Sequence, residues 1–122
     1  MAEHNDTGAK GEELASNFLI EKGFTILAKN WRFRNAEIDI VAQKNNFISI
    51  VEVKTRSSNA FGEPSTFVNK QKQKLLIQAS EWFCEQRNID DVEINFDIIS
   101  IILKKDNTHS IEHIENAFYA IM

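Results

Sequence analysis

The chain has 122 residues, of which 43% are hydrophobic and 26% charged, with a formal net charge of −4. That size supports one domain around one core, and that balance excludes a disordered chain. No apolar run approaches the roughly 20 residues a membrane helix needs. The stretch Met1 to Gly11 is polar and is not expected to be a signal peptide. The single cysteine, Cys84, cannot form an internal disulfide, which fits a reducing, cytoplasmic compartment.

The charge is unevenly spread. Residues 1–74 carry eleven Lys and Arg against nine Asp and Glu, whereas residues 75–122 carry three against nine. The first part is therefore net +2 and the second net −6. Three of the acids in the first part are candidates for a metal site, so the basic groups around them could form a phosphate-facing surface. Ordinary surface scatter is the competing explanation.

The expected organisation is a single domain over 1–122, with residues 1–8 as a flexible N-terminus. In chain order, Gly11 to Lys22 reads as a helix, with Leu14, Ala15, Phe18 and Leu19 at helical spacing. Gly23 ends it. From Phe24 the chain becomes β-like through Ile26, Trp31 and Phe33. Two apolar runs follow, Ile38 to Ala42 and Phe47 to Val53, separated by Lys44, Asn45 and Asn46, a hairpin signal.

The stretch Arg56 to Thr66, which holds the only proline, Pro64, reads as a loop. A long helix comes next, with a buried stripe of Val68, Leu75, Leu76, Ala79, Trp82 and Phe83 and a cap at Ser65 or Thr66. Ile94 to Leu103 is a strand, and Ser110 to Ile114 is a candidate final strand. These elements predict an α/β fold in which helices flank a mixed sheet.

The hairpin carries the chemistry. If Asn45 and Asn46 form a two-residue turn, Lys44 pairs with Phe47, Asp39 lies opposite Glu52, and Glu37 lies opposite Lys54. Cross-strand partners leave the same face with β-carbons about 4.5–5.5 Å apart. Facing carboxylates repel unless a cation neutralises them. Mg²⁺ (or Mn²⁺) takes hard oxygen ligands and keeps several waters. Asp39, Glu52 and the backbone carbonyl of Val53 are its expected ligands. Lys54, two residues after Glu52, leaves the strand on the same side. Its ammonium is suited to orienting an attacking water and supporting charge on a phosphate. The structural alternative is an ion pair between Glu52 and Lys54 at a strand rim.

Other residues are weighed against plainer roles. Glu12 falls near the azimuth of Leu19, towards the buried side, where an unpaired carboxylate is costly. Arg56, Lys70 and Lys74, with Arg32 and Arg34 on the early strand, are candidate DNA contacts. Lys70, Lys72 and Lys74 oppose the dipole of their helix unless an anion is nearby, and simple solubility is the alternative. Trp31 and Trp82 are expected in core or interface rather than as base-stacking platforms. Asp97, in an apolar strand, is expected to make structural hydrogen bonds. His4, His109 and His113 have no metal-ligand spacing.

The pattern Gly11-Glu12, Gly23-Phe24, Asn30-Trp31-Arg32, Glu37-Ile38-Asp39, Val51-Glu52-Val53-Lys54-Thr55-Arg56 and Phe61-Gly62 resembles the YraN-like family of uncharacterised predicted endonucleases, from about residue 8 to residue 119. That family is similar to the restriction-endonuclease-like superfamily, including archaeal Holliday-junction resolvases. The resemblance implies a restriction-endonuclease-like mixed β-sheet flanked by helices. It also implies that Asp39, Glu52 and Lys54 match an Asp…Glu-x-Lys signature and that Glu12 matches a helix-borne acid. Two departures are Ala36, where members usually have Gly, and Asn95, where many have Arg.

The expected function is metal-dependent hydrolysis of DNA phosphodiester bonds, in branched or single-stranded forms, by a chain that can pair as a homodimer. The rivals are a non-catalytic nucleic-acid-binding module and a protein-interaction domain that uses the acidic part of the chain.

Overall fold

The structure, a computed structural model, describes residues 2–58 and 67–119, with side chains from Thr7 onward. The element order is α1 (Ala2–Glu21), β1 (Thr25–Phe33), β2 (Ala36–Lys44), β3 (Phe47–Ser57), α2 (Lys70–Gln86), β4 (Glu93–Leu103) and β5 (His109–Phe118). The strands form one sheet in the order β1-β2-β3-β4-β5. Only the β3–β4 pair is parallel, and α2 is the crossover that joins its strands. This is the α/β class expected, a five-stranded mixed sheet between two helices, consistent with a restriction-endonuclease-like fold.

The core has two layers because β3 and β4 are apolar on both faces, as a buried parallel pair requires. On one face, Ala15 and Leu19 of α1 pack with Ile40, Ala42, Val51, Ile99 and Ile101. On the other, Leu76, Ala79 and Phe83 of α2 pack with Val41, Ile48, Ile50, Phe96 and Ile98. Fully burying one such Leu or Ile contributes about 1.5–3 kcal/mol. No helix among the described residues is long and apolar enough to cross a membrane.

Four boundaries differ from the expectation. Helix α1 begins at Ala2 rather than Gly11, so residues 2–8, expected as a flexible terminus, are its first part. The segment lacks the apolar periodicity that marks helices in a sequence. It also lacks proline, and each glycine costs a helix only about 1 kcal/mol. Strand β3 continues to Ser57, so Arg56 belongs to a strand paired with β4 and not to the loop. Asn69 caps α2, its side chain accepting from the Lys72 N–H at 2.9 Å. The expected caps Ser65 and Thr66 lie outside the described residues, as do Phe61, Gly62 and Pro64. The final strand is longer than Ser110–Ile114 at both ends. As expected, Gly23 ends α1 with a positive φ of 97°.

Helix α1 sits very close to β3 at Gly11. A β-carbon there would collide with the Thr55 side chain, meeting its Cβ at 2.8 Å. Gly11 is thus required by contact with the sheet, despite its cost in a helix. Gly11→Val should lift α1 off β3 and destabilise the protein by about 1–3 kcal/mol, as overpacking does. Urea unfolding checks this, and unchanged stability would contradict the close approach.

A second polar assembly fixes the α1 face. Asp97 is 2% exposed and accepts from Ser49 Oγ, from the Asn116 N–H at 2.9 Å and from His113 Nε2 at 2.9 Å. Lys22 Nζ lies 2.8 Å from His113 Nδ1. An ammonium can only donate, so Nδ1 accepts and Nε2 carries the ring proton to Asp97. Burial alone would push the Asp97 carboxyl up. The hydrogen bonds from His113, Ser49 and Asn116 outweigh it and hold Asp97 below the usual carboxylate range. Asp97 therefore does the structural work expected of it. A lowered pKa stabilises the fold above the ordinary carboxylate pKa, and that stabilisation is lost as the pH falls through the folded value. Asp97→Ala should cost about 3–5 kcal/mol near neutral pH, because it leaves the Ser49, His113 and Asn116 donors without their acceptor, with a smaller difference from wild type under acid. A denaturation series across pH measures both.

Candidate functional site

The two-residue Asn45-Asn46 turn sets the hairpin register. Asn45 adopts a φ of 52°, a left-handed conformation that Asn tolerates. Lys44 pairs with Phe47, and the ladder runs through to Ile40 opposite Val51. The next step would set Asp39 opposite Glu52, as the sequence predicts, but the β2–β3 ladder stops there. Asp39 turns its carboxylate to the backbone instead, and Oδ2 accepts the Val53 N–H at 2.8 Å. Alternation also breaks across this residue: Ile38 packs on the α2 side and Ile40 on the α1 side.

Burial and the neighbouring acids act on Asp39. Desolvation, the facing charge of Glu52 and the charge of Glu12 push its carboxyl from the ordinary 3.8 up to about 7. The Val53 N–H and the Lys72 ammonium oppose this only in part. The structure therefore brings Glu52 and Glu12 within electrostatic reach of Asp39, and the Lys72 charge offsets them only in part. Glu12 gets there because Gly11 lets α1 touch β3 beside Thr55.

Glu52 is 7% exposed and continues the inward series Ile48 and Ile50 on the α2 face. Its Oε2 forms an ion pair and hydrogen bond with Lys72 Nζ. Sequence reasoning weighs Lys72, with Lys70 and Lys74, for phosphate binding against solubility but does not pair it with Glu52. A signal is present all the same, because Lys72 lies three and four residues before Leu75 and Leu76 and so shares their inward stripe.

Lys54 is partly buried on β3, and among the described residues it has no ion-pair partner. The expected position of Glu37 opposite Lys54 is corrected. Glu37 pairs in register with Arg32 on β1, their charged groups 3.6 Å apart, because the β2–β3 ladder has already ended. The alternative of a rim pair between Glu52 and Lys54 is not what forms, since Glu52 pairs with Lys72.

The basic residues surround this centre unevenly. Arg34 is exposed on the β1–β2 turn, in a left-handed conformation with its guanidinium 5.2 Å from the Phe33 ring centre. Arg32 is exposed but tied to Glu37. Lys70 and Lys74 are exposed on α2, and Arg56 is partly buried near the end of β3. A cleft of about 270 Å³ joins the β1–β2 turn to the first turn of α2, bordered by Asn35, Glu37, Asn69, Gln71 and Lys72. Trp31 packs edge-on against Phe83, as expected for a core residue, whereas Trp82 is 39% exposed and stacks on Phe33. Ala36 is buried as the first residue of β2.

The donor chemistry suits a hard divalent cation. Among the described residues no three His, Cys, Asp or Glu side chains stand close enough to hold a metal ion unaided. Mg²⁺ does not need that, because it binds through one or two carboxylates and keeps its waters. Asp39 and Glu52 are such a pair, and burial together with the charge of Glu52 raises the Asp39 pKa.

The family profile described as "Uncharacterised protein family UPF0102" matches residues 11–101, which span both the hairpin and α2. The chain belongs to this family, the YraN-like family. It is 51% identical over 119 residues to a UPF0102 protein of Flavobacterium psychrophilum, covering 98% of each chain. It is 46% identical over 122 residues to one of Flavobacterium johnsoniae, again over 98% of each. A UPF0102 protein of Christiangramia forsetii is 46% identical over 119 residues, 98% of each chain. The family name carries no activity.

Proposed function

We propose that this UPF0102 protein is a Mg²⁺- or Mn²⁺-dependent nuclease that hydrolyses DNA phosphodiester bonds, branched or single-stranded DNA being its substrate class. The observation that carries this reading is the carboxylate pair at the frayed end of the hairpin, Asp39 beside Glu52, with Lys54 two residues further along the same strand.

Asp39 and Glu52 would hold the cation, with the Val53 carbonyl and Glu12 completing its surroundings directly or through water. The bound cation would supply Lewis-acid stabilisation of the phosphate and a more acidic water. The protein's own groups do the rest. The Val53 N–H fixes one Asp39 oxygen. Lys54 is not engaged with another described charge, so its ammonium is available to orient the nucleophilic water and to balance charge gathering on the phosphate oxygens. Arg34, Lys70 and Lys74 would contact flanking phosphates, with Arg56 and Arg32 as further contacts. Symmetrical cutting of two strands would call for a pair of copies, which light scattering of the protein on DNA would detect.

The Glu52–Lys72 pair favours a second reading, a non-catalytic DNA-binding module with its buried acid already neutralised. One assay separates the two. Purified protein should cut branched or single-stranded DNA in Mg²⁺ or Mn²⁺ and stop in EDTA, and Asp39→Asn should be inactive. Salt-dependent binding with no cleavage in either metal would favour the module.

A further inference from the structure

Lys72 borders two different environments. Its ammonium pairs with Glu52, whose side chain is 8% exposed, while its own side chain is 45% exposed and borders the open cleft beside Glu37, Asn69 and Gln71. A cation held by a buried acid on one side and open to solvent on the other has somewhere to go when that acid acquires another partner. Its Asn69 cap fixes the start of the helix, so the long lysine stem can move without moving the backbone.

We infer that Lys72 is a placeholder cation that occupies Glu52 until a divalent ion takes that carboxylate, and then contacts a phosphate of the bound DNA in the cleft. This rests on the nuclease reading above and adds a residue to it. Two cations cannot share one buried carboxylate without mutual repulsion, so metal entry displaces the ammonium. The displaced lysine then lies beside the anionic substrate that the same metal attracts. Ion-pair exchange of this kind keeps the buried acid compensated before and after loading, which an unpaired Glu52 would not be.

The test is calorimetric titration of Mn²⁺ into the intact protein without DNA, comparing wild type with Lys72→Met and Lys72→Arg, each checked for folding by circular dichroism. Removing the competing cation should tighten Mn²⁺ binding by about tenfold in Lys72→Met, the scale of one partly buried ion pair. Lys72→Arg keeps a cation and should bind as wild type does. DNA cleavage by Mn²⁺-saturated Lys72→Met should fall even though its metal affinity has risen. These opposite movements are the signature of the exchange, since a merely structural lysine would leave metal affinity unchanged or weaken it. Equal or weaker Mn²⁺ binding by folded Lys72→Met overturns the inference, and wild-type cleavage would then still stand as support for the nuclease. Tighter Mn²⁺ binding with no cleavage by wild type on any DNA supports the exchange at Glu52 while overturning its phosphate role along with the nuclease reading.

Discussion

Lys54→Ala should lower DNA cleavage by about 10²–10³-fold or more, the range seen when one preorganised group that stabilises a transition state is removed, while Mn²⁺ affinity changes little. The separation follows from geometry. Asp39 and Glu52 are the proposed ligands, and Lys54 has no ion pair with either among the described residues. Its removal takes away support for the attacking water and the charged phosphate but leaves the carboxylates and the Asp39–Val53 hydrogen bond in place. Steady-state cleavage combined with metal titration reads both quantities. Wild-type turnover in the variant would remove Lys54 from the mechanism.

Asp39→Asn should have the second large effect, on stability and on metal response together. Asp39 titrates near 7 in the folded protein against an ordinary 3.8, so folding disfavours its ionised form. Below about pH 4 the carboxyl is protonated in both the folded and the unfolded chain, and no penalty arises. Between about 4 and 7 the unfolded chain ionises first, so stability falls as the pH rises. Above about 7 the whole penalty is present. Asn keeps an oxygen for the Val53 N–H but removes the charge, so the variant should exceed wild type at pH 8 by up to about 4 kcal/mol. That is a rise of up to roughly 10–20 °C in Tm, and it should vanish near pH 4. Mg²⁺ or Mn²⁺ should raise the Tm of wild type by ligand linkage and leave Asp39→Asn nearly unchanged. A metal-free variant that melts below wild type at pH 8 would show that Asp39 is not a strained carboxylate.

Part of this site is legible in the amino-acid sequence. The Asn45-Asn46 turn sets the hairpin register, because two residues that suit a tight turn separate two apolar runs, and the observed ladder follows it as far as Ile40 and Val51. The inward tilt of Glu12 follows from helical azimuth alone. Where pairing ends is not legible. Where the ladder ends, the Asp39 carboxylate accepts the Val53 N–H instead, and strand alternation has no way to encode such a local exchange. The same break sends Glu37 to Arg32 instead of Lys54. The identity of the cation on Glu52 is hidden for another reason. An acid-x-lysine motif draws attention to the lysine in the same strand, whereas burial of Glu52 favours whichever ammonium approaches from the packed helix, and that is Lys72. The full length of α1 escapes periodicity because residues 2–8 are polar, and helices can extend beyond the stripe that buries them.

Anomalous scattering from a crystal of the protein soaked in Mn²⁺ tests the metal site most directly. A peak between the Asp39 and Glu52 carboxylates, with the Lys72 ammonium moved away from Glu52, is the predicted result. A peak-free site in which Lys72 still holds Glu52, at Mn²⁺ concentrations that support no DNA cleavage either, would contradict a metal-dependent nuclease.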